Sequence, residues 1–437
     1  MKIATTNNFH LTYCTNIHPG EEWHKVFDNL KQYIPSLKAQ LISSNPRILE
    51  EFGDFAAHQN PFGIGLRLAD VATQELLEGN NLTEFQSWLS EHNLYVFTLN
   101  GFPFGGFHWQ VVKDQVYAPD WSKQERLDYT MRLVHILAKL LPSGVEGSIS
   151  TLPLSYKPWF KGNQLFQASV KSSATLRIAE LVAEMIKIKH ETGKNIHLDL
   201  EPEPDGLIEN AAEVVDYFQT YLLPIGRDCL VKHLGISFEA AELHLLNHVR
   251  VCYDTCHFAV EYEDPKAVFQ KFQSTGIQVG KIQISAALQV QIPRDIKHRR
   301  LIKDRLLPFA ESTYLHQVIA RESYGKLRHY QDLEQALPDL ESTTASEWRI
   351  HFHVPIFIRD YQLFQSTQDD ITTVLELLQE NHACDHLEIE TYTWEVLPKE
   401  MKLDLPASLQ REYEWVLSKM VGNNRNVLVG SGLSQKF

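Results

Sequence analysis

The sequence predicts an α/β fold, a (β/α)8 barrel, and three observations carry that prediction. Short β-like runs alternate with amphipathic helical segments along most of the 437 residues, the rhythm of parallel strands joined by crossover helices. The length suits one α/β barrel carrying insertions better than one average domain. The stretch 195–205, N-I-H-L-D-L-E-P-E-P-D, alternates strictly, with His197, Asp199 and Glu201 on one face and Ile196, Leu198 and Leu200 on the other; period two marks a strand. Helices cover the outer face of a closed parallel barrel, so the polar face must look inward. Glu201, just before Pro202, then stands at the C-terminal mouth, where such folds keep their chemistry.

Taken in order, β-like runs fall at 9–14, 62–68, 94–99 and 147–152. The clearest helix follows: Ile178, Leu181, Val182, Met185 and Ile186 recur at three and four, and Gly193 sits where a C-cap belongs. After 195–205 come runs at 249–254, 281–285, 348–354 and 387–391, then a closing helix over 409–420. With 234–238 the count exceeds eight, so one of 234–238, 348–354 and 387–391 belongs to an insertion. The chain reads as a single domain, 1–437, with 289–347 outside the rhythm as an insertion or lid. That segment carries Arg294, Lys297, Arg299, Arg300, Lys303 and Arg305, either a solvated helix face or an anion-binding rim.

Hydrophobic residues make up 43% and charged residues 22%, enough for a large core. The formal charge of −14 disfavours a nucleic-acid partner. Five unevenly spaced cysteines fit reduced thiols rather than a disulfide framework. The C-x-x-x-C pair Cys252 and Cys256 has the wrong spacing for a zinc or redox pair. The start lacks the apolar stretch of a signal peptide and no run reaches a membrane span, so the expectation is a cytoplasmic protein without membrane insertion.

Metal-capable groups stand at separate strand ends: Glu201, Asp254 with His257 three residues on, His351 and His353 in H-F-H, and Glu388 and Glu390 in E-I-E. Taken singly, Asp254 reads as a helix cap and either imidazole of H-F-H as a core histidine. Together, carboxylates and imidazoles converging on one mouth suit a divalent metal, Mn²⁺, Zn²⁺, Mg²⁺ or Fe²⁺, which removes their mutual repulsion. The loop 100–121 adds Phe102, Phe104, Phe107, His108, Trp109, Tyr117 and Trp121, read either as a substrate wall or as a satellite core over the rim.

E-P-E-P after one strand, D-T-C-H after the next and a last strand ending in a carboxylate resemble the xylose isomerase-like barrels of the sugar phosphate isomerase/epimerase superfamily. More narrowly, Y-C-T-N-I-H-P-G-E-E-W (13–23), P-F-G-I-G-L-R-L (61–68), N-G-F-P-F-G-G-F-H (100–108), G-S-I-S-T-L-P-L (147–154), H-F-H-V-P-I-F (351–357) and L-E-I-E-T-Y-T-W (387–394) resemble the EboE family, described as a metabolite traffic protein of the Ebo operon. The wider resemblance implies one divalent metal held by Glu201, Asp254, His353 and Glu390, the two glutamates exchanging a substrate proton. It makes His257 a substrate contact; His108 and Trp109 of the loop 100–121, with Asn100, Arg67 and His18 of the quoted motifs, are further candidates. A small-molecule metabolite and other Ebo-pathway proteins are the implied partners.

Departures accompany the resemblance. Ser285 stands where a metal-binding histidine is expected, so His353 serves only if its strand replaces or adjoins that one. Glu203 stands where xylose isomerases carry lysine, which speaks against a hydride shift. D-T-C-H also resembles endonuclease IV, but its further histidines are missing. The expected activity is therefore metal-dependent isomerisation or epimerisation of a sugar-like metabolite. A non-catalytic metabolite carrier and a metal-assisted hydrolase on the same barrel are the alternatives.

Overall fold

The computed structural model describes residues 1–4, 8–44, 61–106, 112–310, 314–394 and 403–420. Eight strands run parallel: β1 (Asn8–Tyr13), β2 (Phe62–Arg67), β3 (Leu94–Asn100), β4 (Gly147–Thr151), β5 (Ile196–Leu200), β6 (Val249–Asp254), β7 (Val279–Ile284) and β8 (His386–Ile389). β8 lies in parallel register with both β7 and β1. The last seam, β1 to β2, is a Cys14–Gly65 bridge. There Thr12 Oγ1 donates to the Gly63 carbonyl (3.1 Å) and accepts from Gly65 N–H (2.8 Å). The chain is a (β/α)8 barrel. Its helices follow the sequence signals: Gln164–Thr192 starts where the Asn163 side chain accepts from Phe166 N–H and ends at Gly193 (φ 72°). Among the described residues no helix is long and apolar enough to cross a membrane.

The barrel interior is polar. Thr12, Thr98, Ser148, Ser150, Asp199, Lys281 and Glu388 are all fully buried. Ser148 Oγ donates to Asp199 Oδ2 (2.6 Å) and Lys281 Nζ to Ser150 Oγ (3.3 Å), while Lys281 pairs with Glu388. Burying such groups is costly unless they are paired and hydrogen-bonded; here they are packed against one another. Glycines make the room. A Cβ on Gly65 would sit 1.8 Å from Glu388 Oε1, and one on Gly280 2.0 Å from Asp199 Oδ1.

Between β7 and β8 the chain builds a second sheet. Its six antiparallel strands lie in the order Leu327–Tyr330, Val318–Glu322, Ala345–Val354, Ala286–Gln291, Phe364–Ser366 and Asp360–Tyr361. The run expected at 348–354 therefore belongs to this sheet and not to the barrel. The run at 234–238 is no strand either: it is the turn at Gly235 (φ 67°) between helices Leu223–Leu234 and Phe238–His248. In Ala345–Val354 the period of two buries Trp348, Ile350, Phe352 and Val354 and puts His351 and His353 together on the opposite face. The basic run forms helix Ile296–Leu306, of which Ile302 and Leu306 are buried. Arg299 there donates to the carbonyls of Pro293, Glu341 and Thr343 (2.6, 3.1 and 2.8 Å).

Gly65→Ala should be strongly destabilising, by at least about 1–3 kcal/mol, because the new methyl group collides at the closing seam. Gly105, around which a Cβ meets nothing within 4 Å, is the control. Equal denaturant midpoints for Gly65→Ala, Gly105→Ala and the parent protein would contradict this account of the closure.

Candidate metal centre

Three acidic side chains meet at the barrel mouth because ladder bonds fix the backbones beneath them. Glu201 N–H donates to the Thr151 carbonyl (3.0 Å) and Glu390 N–H to the Ile284 carbonyl (3.0 Å), so each stands one residue past its strand against the neighbouring one. Asp254 closes β6. One oxygen from each of Glu201, Asp254 and Glu390 lies within 4.8 Å of the other two, and all three residues are buried.

Asp254 has two roles. Its Oδ1 caps helix Thr255–Val260, accepting from Cys256 N–H (2.7 Å) and His257 N–H (3.1 Å), and it also accepts from Ser285 Oγ (2.6 Å). Its Oδ2 is buried with no hydrogen-bond partner, as is Glu201 Oε2. Glu390 Oε1 accepts from Asn16 Nδ2 (2.7 Å) and Asn100 Nδ2 (3.4 Å). Burial, then the charges of Glu390 and Asp254, push the Glu201 carboxyl well above its ordinary range. Burial, then Asp254 and Glu388, do the same to Glu390. Lys281, in the layer below, opposes both shifts. Three buried carboxylates at ligand spacing, two of them with an oxygen that lacks a partner, fit a divalent cation; an oxygen set of this kind suits Mn²⁺ or Mg²⁺ best and admits Zn²⁺ or Fe²⁺.

The imidazoles come from two directions. His257, in the first turn after Asp254, puts Nε2 3.8 Å from Asp254 Oδ2 and 3.9 Å from Glu203 Oε2, and its Nδ1 is 3.9 Å from Glu201 Oε1. His353 enters from the second sheet. Val354 pairs with Ala286, which follows Ser285 directly, so its strand adjoins the end of β7. Its Nδ1 donates to the Glu390 carbonyl (2.9 Å) and its Nε2 is 4.0 Å from Asp254 Oδ2. Ser285 supports Asp254 rather than pointing an imidazole into the mouth. Burial and neighbouring imidazoles hold His257 and His351 well below their ordinary range, and burial lowers His353. All three are neutral and able to coordinate.

Between the mouth and the second sheet lies a cleft of ≈ 770 Å³, counting its open entrance, a size suited to a small metabolite. Asn100, Glu201, Glu203, His257, His351, His353 and Glu390 border it, with Asn16, Gln317 and Tyr392. Burial, followed by Asp254 and Asp205, pushes the Glu203 carboxyl up to about 8, against a lowering hydrogen bond from Tyr117. Arg67 is not part of the lining: it pairs with Glu21 (3.1 Å) and donates to the Gly105 carbonyl. His18 too lies elsewhere, bonded to the Tyr13 hydroxyl (2.7 Å) and stacked on Tyr33. His108 and Trp109 lie outside the described residues, as does Phe107. The rest of that loop divides: Phe102 and Tyr117 border the cleft, Phe104 packs edge-on against Tyr129, and buried Trp121 donates to Thr151 Oγ1 (3.0 Å). The basic residues of Ile296–Leu306 do not border the cleft. All five cysteines are free; Cys252 and Cys256 are fully buried.

No family model matches the sequence, and no curated protein does. Among solved structures the chain is similar to the IOLI protein with a bound zinc atom, at 12% identity and a TM-score of 0.44, covering 94% of this chain and 98% of that one. It is similar to a xylose isomerase domain containing protein from Salmonella typhimurium at 12% identity and a TM-score of 0.40, covering 94% and 97%. A xylose isomerase domain protein from Alicyclobacillus acidocaldarius gives 10% identity and 0.40, covering 94% and 100%. The reading of the site rests on its own geometry.

Glu201 and Glu390 start from an ordinary value near 4.5 and are raised on folding, so folding takes up protons. These two carboxyl groups should therefore contribute stability to the metal-free protein that is lost as pH rises above about 4.5. Glu201→Gln and Glu390→Gln should each raise the melting temperature of chelator-treated protein at pH 8 while abolishing the rise that Mn²⁺ gives the parent. Lower metal-free stability at pH 8 in both variants, with the Mn²⁺ response intact, would contradict the carboxylate assignment.

Proposed function

We propose that the protein is a metal-dependent isomerase or epimerase of a small sugar-like or polyol-like metabolite. The observation that carries this reading is the convergence of Glu201, Asp254 and Glu390, with bare oxygens on the first two, at a metabolite-sized cleft that Glu201 and Glu390 border. These residues would hold one divalent metal, with His353 the imidazole beside it. A metal so placed polarises the oxygens of a hydroxy-carbonyl compound and makes the adjacent C–H acidic.

The chain's own residues then handle the proton. Glu201 and Glu390 are the candidates to take it from carbon and return it, and their raised affinity for protons suits that work near neutral pH. Asn16 and Asn100 hold Glu390 through Oε1, which makes Oε2 the candidate oxygen to move a proton. Gln317 and Tyr392 border the cleft as candidate contacts for hydroxyl groups.

A metabolite-binding carrier, as the resemblance to the EboE family suggests, is the second reading. The feature favouring it is Ser285, whose hydroxyl is engaged with Asp254 where an imidazole was expected. In that case the partners would be the other proteins of an Ebo-type pathway.

Incubation of Mn²⁺-loaded protein with a panel of ketoses, aldoses and other hydroxy ketones in deuterated water separates the readings. We expect deuterium at the carbon next to the carbonyl, visible by NMR. It should be lost on chelation and reduced at least about 10²-fold in Glu201→Gln and in Glu390→Gln. A panel member that binds the metal-loaded protein and shows no exchange would support the carrier instead.

A further inference from the structure

The imidazoles form a second cluster at the mouth, joined to the carboxylate site through His353, and hydrogen bonds fix which nitrogen of His351 and of His353 is bare. Gln317 is oriented unambiguously: its Nε2 donates to the Pro204 carbonyl (3.2 Å), so its Oε1 faces His351 Nδ1 (2.8 Å). A carbonyl oxygen only accepts, so His351 carries its proton on Nδ1 and presents a lone pair at Nε2. His353 is fixed the same way, because its Nδ1 faces the Glu390 carbonyl (2.9 Å). The two bare Nε2 atoms nevertheless face each other at 3.3 Å. Two lone pairs do not attract. Two nitrogens bound to one tetrahedral metal at 2.0–2.1 Å stand about 3.3–3.4 Å apart.

A third nitrogen and a carboxylate lie within reach. His257 and Glu203 offer atoms within 4.8 Å of one another and of His351, and His257 is grouped with His353 and Asp254 as well. His257 Nε2 stands 3.9 Å from Glu203 Oε2; His257 Nδ1, which lies 3.9 Å from Glu201 Oε1, and Glu203 Oε1 are buried without hydrogen-bond partners, in residues 3% and 6% exposed. Cys256 also lies near both H-F-H imidazoles, but its thiol donates to the Phe352 carbonyl (3.5 Å).

We infer that the mouth holds a second, nitrogen-rich metal site of His257, His351 and His353 with Glu203, selective for Zn²⁺ and adjoining the oxygen-only site across Asp254. Imidazoles suit Zn²⁺ whereas carboxylate oxygens suit Mn²⁺ and Mg²⁺, so the two sites sort their ions by ligand type. The second sheet supplies His351 and His353, which gives this appendage a chemical role.

The test is the number of Zn²⁺ ions bound by stripped full-length protein after equilibration and dialysis, with Co²⁺ as a spectroscopic probe. We expect two equivalents of Zn²⁺ in the parent and one each in His351→Ala and Glu203→Gln. The intense visible absorption of tetrahedral Co²⁺ should be lost in both of these variants and kept in Glu390→Gln. Folding is checked by circular dichroism, and Glu203→Gln, which leaves the second sheet untouched, stands in if His351→Ala does not fold. One equivalent in the parent, unchanged in both variants, would overturn the second site and leave the carboxylate site standing; the two nitrogens would then share a proton. No bound metal at all would overturn both.

Discussion

The structure depends on placing like charges close together in a medium that does not tolerate them. Glu201, Asp254 and Glu390 are buried at one mouth, with Glu388 and Asp199 a layer below. Lys281 is the cation set among them, paired with Glu388. One lysine beneath does not neutralise three carboxylates above, and the raised proton affinities of Glu201 and Glu390 record the shortfall. Either protons or a divalent ion must supply the remaining positive charge, and a single ion would meet all three carboxyl groups at once. The polar interior follows from the same constraint. Gly65 and Gly280 leave space so that Glu388 and Asp199 can stand inside the barrel next to partners.

The second sheet extends the site beyond what eight strand ends can supply. It leaves the barrel through Ser285 and returns along Ala345–Val354, beside its own first strand. A ten-residue strand, whose pairing with its neighbour shifts register between Ile350 and Val354, delivers two imidazoles to the mouth and four apolar side chains to the core. Ser285 keeps Asp254 in place through Oδ1, while the helix starting at Thr255 uses the same oxygen as its cap. One carboxylate thus ends a strand, starts a helix and still keeps Oδ2 without a hydrogen-bond partner beside Glu201 and Glu390.

Much of this was legible in the chain. Period-two alternation in 195–205 and in H-F-H identified inward faces correctly, because alternation follows from strand geometry alone. The three-and-four spacing of Ile178 to Ile186 and the terminal Gly193 specified a helix for an equally local reason. Whether 348–354 joins the barrel was not legible: both sheets ask for the same alternating pattern, and only partner choice distinguishes them. Lys281 carries no local signal of its role, which depends on Glu388, far away in sequence. Gln317 carries no local signal at all; it matters only because Pro204 and His351 meet on either side of it. Arg67 and His18 were drawn in by the motifs they occupy, and the structure ties both to side chains away from the cleft.

The most direct test is anomalous diffraction from crystals of the full-length protein grown with Mn²⁺. The account predicts a peak at the manganese edge about 2.0–2.3 Å from oxygens of Glu201, Asp254 and Glu390 together. A map without a peak at that point, showing the three carboxyl groups hydrogen-bonded to one another, would contradict it.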